Sequence, residues 1–165
     1  MANITLKGNS INTIGNLPEI GSKAVNFSLT AVDLSTKELS DFSGKKIILN
    51  IFPSVDTGTC ATSVREFNKK ASSLENTVVI CISRDLPFAQ ARFCGAEGIE
   101  NVIMLSDFAT GKFGKDYQLE ITNGPLANLH SRAIIVIDEN QNITYTEQVS
   151  EIVDEPNYES TLKAI

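Results

Sequence analysis

The chain has no Cys-x-x-Cys pair, a single histidine, and no apolar run approaching the roughly 20 residues that a membrane-spanning helix needs. The missing pair removes the ordinary dithiol redox motif. The one histidine, His130, leaves a Ser-His or Cys-His relay no choice of base. It lies in the loop-like stretch Asn128-Leu129-His130-Ser131, where a solvated surface position is expected. Three scattered cysteines and the acidic residues Asp85, Glu97 and Glu100 make no metal-ligand pattern. Basic residues are also short: 14 Lys and Arg stand against 20 Asp and Glu, a net charge of −6. No basic cluster is available to neutralise phosphates, so neither nucleic acid nor a membrane is expected as a partner. Gly111-Lys112-Phe113-Gly114-Lys115 lacks the spacing and the Ser/Thr of a phosphate loop and reads as the end of a short helix. The opening Met1 to Lys7 lacks the apolar core of a signal peptide. A cytoplasmic location is therefore expected, where a disulfide is transient rather than structural.

What is present is one strongly patterned α/β chain. Its 165 residues suffice for one sizeable core, and no repeat, low-complexity segment or linker divides them, so residues 1–165 are expected to form a single domain. Ile4 to Thr13 alternates around Gly8-Asn9 as a small hairpin. Strands are expected at Phe27–Val32, Lys45–Phe52, Thr77–Ser83 and Val102–Leu105, and a hairpin at Arg132–Ile137 and Ile143–Val149. Helices are expected at 60–74, from Asp85-Pro87 to a stop near Cys94-Gly95, at Thr110–Asp116, and after Glu155-Pro156. The run Thr77-Val78-Val79-Ile80-Cys81-Ile82-Ser83 is apolar on both faces, as in a buried parallel strand, and an inert thiol is expected at Cys81. This order describes a central mixed sheet flanked by helices, a thioredoxin-like fold with an N-terminal β-hairpin extension.

The most informative stretch is Phe52-Pro53-Ser54-Val55-Asp56-Thr57-Gly58-Thr59-Cys60. It joins the run Ile47-Ile48-Leu49-Asn50-Ile51 to a helix on which Cys60, Val64, Phe67, Ala71 and Leu74 recur at spacings of four, three, four and three. Cys60 is thereby placed in the first turn of a helix, on its inward face. Unpaired N–H groups and the positive end of the helix dipole favour an anion there, so the thiol can act as a thiolate. A cysteine that merely packs into the core has the same spacing.

Pro53, Thr57 and Cys60 reproduce the Pro-x-x-x-Thr-x-x-Cys motif of peroxiredoxins. Val55-Asp56-Thr57-Gly58-Thr59-Cys60-Ala61-Thr62-Ser63-Val64-Arg65 resembles the bacterial thiol peroxidase branch, the atypical two-cysteine peroxiredoxins. Arg92-Phe93-Cys94-Gly95-Ala96-Glu97-Gly98 resembles that branch's second cysteine segment, and Ser131-Arg132-Ala133-Ile134-Ile135-Val136 its late arginine-bearing strand. The similarity runs nearly end to end. It implies an enzyme that reduces hydrogen peroxide and organic hydroperoxides without metal, haem or other cofactor. It further implies that Cys60 is peroxidatic and Cys94 resolving, through a disulfide within the chain that thioredoxin reduces. Thr57 and Arg132 are implied to hold thiolate and peroxide, with Pro53 shielding the pocket, in a homodimer. The same cysteine pair also suits a peroxide-sensing switch that acts on a partner rather than clearing substrate.

An efficient peroxidase needs more than an ionised sulfur. An ordinary thiol is about 3% thiolate at about pH 7, so complete ionisation gains only about thirtyfold. The larger barrier is O–O cleavage, where charge builds on the departing oxygen and fixed donors contribute several kcal/mol. The Thr57 hydroxyl, the Cys60 backbone N–H and the Arg132 guanidinium are suited to that task.

Overall fold

The computed structural model describes residues Met1–Ile165. Nine strands are formed: β1 (Asn3–Leu6), β2 (Asn9–Asn12), β3 (Ser28–Ala31), β4 (Thr36–Glu38), β5 (Lys46–Ile51), β6 (Thr77–Ser83), β7 (Ile103–Ser106), β8 (Ala133–Ile137) and β9 (Ile143–Gln148). The helices are α1 (Gly58–Ala71), α2 (Pro87–Glu97), α3 (Lys112–Asp116) and α4 (Tyr158–Lys163), with a 3-10 turn at Leu39–Phe42. β1 and β2 make a separate antiparallel hairpin, and the other seven strands form one sheet in the order β4-β3-β7-β6-β5-β8-β9. β5, β6 and β7 run parallel, while β8, β9, β3 and β4 are added antiparallel, so the central sheet is mixed as expected.

Period-two alternation in β5, β6 and β8 divides the core between the two faces of this sheet. Ile47, Leu49 and Ile51 of β5, Ile80 and Ile82 of β6, and Ala133, Ile135 and Ile137 of β8 pack against Phe27, Leu39, Phe113 and Tyr117. The alternate residues, Ile48, Val79, Cys81, Ile134 and Val136, pack against Cys60, Val64 and Phe67 of α1, Phe93 of α2, and Tyr158 and Leu162 of α4. The apolar stripe of α1 therefore turns inward, and Cys60 is fully buried. No helix is long and apolar enough to cross a membrane.

Several boundaries differ from expectation. The hairpin turns at Lys7-Gly8, whose φ angles of 50° and 80° are both left-handed, the geometry of a two-residue turn matching strand twist. α1 begins two residues before Cys60, and α2 continues past Gly95 to Gly98. Gly98 (φ 65°) is the true stop, its N–H returning to the Cys94 carbonyl. Gly111 caps the start of α3 rather than ending a helix.

Candidate active site

β5 delivers the chain to the segment 52–57, and the carboxylate of Asp85 shapes that segment. It accepts from Ser54 Oγ at 2.6 Å, from the Val55 N–H at 2.8 Å and from Ser83 Oγ at 2.6 Å. Asp85 thus joins the loop before α1 to the loop before α2. In sequence Asp85 stands as a helix opener, and its place between Ser83 and Pro87 gives no sign of a contact 30 residues back.

Thr57 is the N-cap of α1 but makes no side-chain cap; its hydroxyl donates to the Ser54 carbonyl at 3.1 Å. The Ala61 N–H is bonded to the Thr57 carbonyl at 3.0 Å, so the N–H groups of Gly58, Thr59 and Cys60 form the open positive end of the helix. Further along, Ser63 Oγ donates to the Cys60 carbonyl at 2.8 Å and receives Asn50 Nδ2 at 3.2 Å, which fixes the first turn against the sheet.

Arg132 stands just before β8 and is 2% exposed. One guanidinium nitrogen, Nη2, donates to Cys60 Sγ at 3.2 Å across 72 residues of chain. Nε donates to the Ile152 carbonyl at 2.9 Å, and Nη1 has no partner. The Arg132 carbonyl is itself held by Gln148 Nε2 at 2.9 Å and the Val149 N–H at 3.0 Å. No carboxylate lies within ion-pairing distance of this buried cation. Pro53, Thr57, Gly58, Thr59, Arg132, Ile152 and Val153 wall a cavity of about 390 Å³, completed by Leu6, Lys7 and Leu126. Four of the expected site residues, Pro53, Thr57, Cys60 and Arg132, are thus brought to one place. The Thr57 hydroxyl bonds to the Ser54 carbonyl and makes no hydrogen bond to the sulfur.

Cys94, the fifth, lies elsewhere. It occupies the last turn of α2, half-buried, on an apolar cavity of about 300 Å³ with Val32, Ile99, Val102 and Met104. Burial raises its thiol pKa above the ordinary value. All three cysteines are free thiols. Cys81 is fully buried in β6, and desolvation pushes its thiol up to about 12, despite Asn50 Nδ2 at 3.6 Å from its sulfur. That is the environment of an inert core thiol.

His130 is a correction. It is not at the surface but fully buried, with Nε2 2.9 Å from Asp107 Oδ2 and its ring tilted against Phe113. Asp107 also accepts from the Phe113 and Gly114 N–H groups at 3.3 and 3.1 Å. The pair braces the segment leading into Arg132 against the start of α3. Only the polar neighbours in sequence suggested solvent.

Residues 19–162 match the redoxin family. The chain is 54% identical to the thiol peroxidase of Mycobacterium tuberculosis over 165 residues, covering all of this chain and 99% of that one. Among solved structures it superposes on a peroxiredoxin-like protein from Aquifex aeolicus with a TM-score of 0.93 at 33% identity, covering 99% of this chain and 96% of the other. A thiol peroxidase from Chromobacterium violaceum gives 0.90 at 25% identity, covering 98% and 93%. With the thioredoxin-like sheet, a cysteine in the first turn of α1 and a buried arginine on its sulfur, the chain belongs to the redoxin family and, within it, to the thiol peroxidase branch of the peroxiredoxins.

Proposed function

We propose that this protein is a thiol-dependent peroxidase of the cytoplasm that reduces hydrogen peroxide and organic hydroperoxides at Cys60. The observation that carries the reading is Arg132: a buried guanidinium with one N–H group on the Cys60 sulfur and a second nitrogen unpaired beside an open cavity. A cation buried without a carboxylate requires a counter-charge, and a thiolate at Cys60 supplies it. In the first step the thiolate sulfur attacks the terminal oxygen of ROOH. The S–O bond forms, the O–O bond breaks, and the electron pair leaves on RO⁻, which takes up from solvent the proton the thiol released on ionising and departs as ROH, while the terminal OH stays on sulfur as the Cys60 sulfenic acid. Arg132 Nη1 and the open N–H groups of α1 are placed to hold the two oxygens as charge shifts between them. The Thr57 proton is committed to Ser54, so its oxygen is free to accept the peroxide O–H. Pro53 excludes water from the same wall.

Cys94 then attacks the Cys60 sulfenic acid, a disulfide forms within the chain, and water leaves. Thioredoxin, a dithiol donor, returns both sulfurs to thiols. We read the whole chain as one catalytic domain working as a homodimer. Exposed apolar side chains such as Phe88 at 66% and Leu86 at 52%, beside the start of α2, support a self-association surface.

The test is turnover. With thioredoxin and its reductase present, the protein is expected to consume many equivalents of hydrogen peroxide or cumene hydroperoxide per chain. Slow turnover, with few equivalents consumed per chain, would point to a sensor instead. Arg132→Met removes the donors at similar side-chain volume and is expected to slow single-turnover oxidation of Cys60 at least about tenfold. An unchanged rate would leave Arg132 a packing charge.

A further inference from the structure

The segment 150–153 is the hub of the cavity wall. The Ile152 carbonyl holds Arg132 Nε at 2.9 Å, and the Val153 carbonyl accepts from Thr59 Oγ1, in the first turn of α1, at 2.8 Å. Both elements that meet at the Cys60 sulfur are therefore tied to this one stretch of backbone. The stretch belongs to no strand or helix of its own, since β9 ends at Gln148 and α4 begins at Tyr158. Something must hold it.

The N-terminal hairpin does so, through one carboxylate. Glu151 Oε1 accepts from the Lys7 N–H at 2.9 Å, and Oε2 accepts from the Gly8 N–H at 3.0 Å and Thr5 Oγ1 at 2.8 Å. The Val153 N–H adds a longer contact at 3.4 Å. The left-handed turn at Lys7-Gly8 aims both backbone N–H groups at the same acceptor. Around this carboxylate the backbones pair as well: the Thr5 N–H donates to the Ser150 carbonyl at 2.7 Å, and the Ile152 N–H to the Thr5 carbonyl at 2.8 Å. The Gly8 N–H first, then the Thr5 hydroxyl and the Lys7 N–H, lower the Glu151 carboxyl from 4.5 to about 2, despite its partial exposure.

We propose that Glu151 is a positioning residue for the peroxidase centre: its carboxylate pins the hairpin turn to residues 150–153 and through them sets Arg132 against Cys60. It touches neither the sulfur nor the substrate. The assignment rests on the peroxidase reading and adds to it the device that keeps the guanidinium in place. The hairpin is thereby part of the catalytic architecture, because Leu6 and Lys7 close the same cavity. The sign of the acid dependence follows. The carboxyl is lower in the folded chain than in the unfolded one, so its ties are complete above about 4.5 and are lost as pH falls through about 2. Within the neutral range they do not titrate.

The test is a double-mutant cycle on the single-turnover oxidation of Cys60 by hydrogen peroxide. Glu151→Gln keeps the shape but presents an NH2 group to N–H donors. Arg132→Lys keeps a cation but has no Nε for the Ile152 carbonyl, so it cuts the route from Glu151 to the sulfur that runs through the guanidinium and leaves the Thr59 tie in place. Glu151→Gln is expected to slow oxidation about tenfold alone and less than about twofold in the Arg132→Lys background. Thr5→Val, which removes one donor to the same carboxylate, is expected to act in the same direction and with the same dependence on Arg132. It carries the comparison if Glu151→Gln does not unfold cooperatively on heating. Equal slowing in both backgrounds overturns the assignment, since a merely structural carboxylate would act regardless of Arg132; so does no slowing at all. A wild-type protein whose Cys60 is not oxidised by peroxide would overturn the peroxidase reading itself.

Discussion

Cys60→Ser is expected to abolish hydroperoxide reduction, by more than about a thousandfold in thioredoxin-coupled turnover. The substitution leaves the volume nearly unchanged and keeps the residue in the first turn of α1, under the Arg132 guanidinium. What it removes is a sulfur atom, polarisable and soft enough to displace an alkoxide from oxygen. A serine hydroxyl in the same place has neither property, and no histidine is at hand to activate it, since His130 is bound to Asp107. Cys81→Ser is the matched control. It buries a hydroxyl among β-strand side chains with Asn50 as its neighbour, and is expected to cost about 1–2 kcal/mol of stability while turnover stays within about twofold. Coupled peroxide consumption and thermal unfolding of the two proteins check both halves. Near-normal turnover by the Cys60→Ser protein, or its loss in the Cys81→Ser protein, would remove the assignment.

The strands that carry the site were legible because their residues repeat. β5, β6 and β8 are dense in Ile and Val, and both faces of each are buried, so the apolar runs were visible without their partners. β4 was not anticipated: Thr36-Lys37-Glu38 is three polar residues at the sheet edge and has no pattern to read. The end of α2 was placed too early because Gly95 resembles a stop. Its backbone remains helical, and the left-handed angle that ends the helix falls at Gly98. Cys60 and Cys94 could be picked out from their local motifs. The contacts that organise the site could not, because each joins residues far apart in sequence: Arg132 to Cys60, Asp85 to Ser54, Glu151 to Gly8, Asp107 to His130. Pairing of a polar side chain across the fold depends on how the sheet is ordered, and that order is not written in any local period.

Cys94→Ser is expected to stop catalysis after one equivalent of peroxide and to leave Cys60 as a sulfenic acid that overoxidises readily. Water and a disulfide form only if a second thiolate reaches the first sulfur, and Cys94 is the remaining thiol outside the sealed core. Reaching it requires motion. Cys60 is packed under the 390 Å³ cavity in the first turn of α1, and Cys94 sits on another cavity in the last turn of α2. The two helices are also tied by Arg65 to Glu97 at 2.8 Å, and the loop before α1 is tied to α2 by Asp56 and Arg92 at 2.8 Å. A disulfide needs α-carbons within about 7 Å and aligned side chains, which two thiols fixed on separate helices do not readily meet, so one or both turns are expected to unwind. α2 is the weaker element, since only Pro87, Gln90 and Phe93 along it are buried and Gly95 lowers the helix propensity of its last turn. The oxidised protein is therefore expected to show weaker amide protection at residues 57–64 and 88–98 than the reduced one. A methyl group at Gly95 would meet no atom within 4 Å, so Gly95→Ala stiffens the helix without crowding it. It is expected to slow disulfide formation severalfold while sulfenic acid formation keeps its rate. Continued thioredoxin-linked turnover by the Cys94→Ser protein would show that another group resolves the sulfenic acid. Equal amide protection in the two redox states would keep Cys94 as the resolving thiol and remove the unwinding.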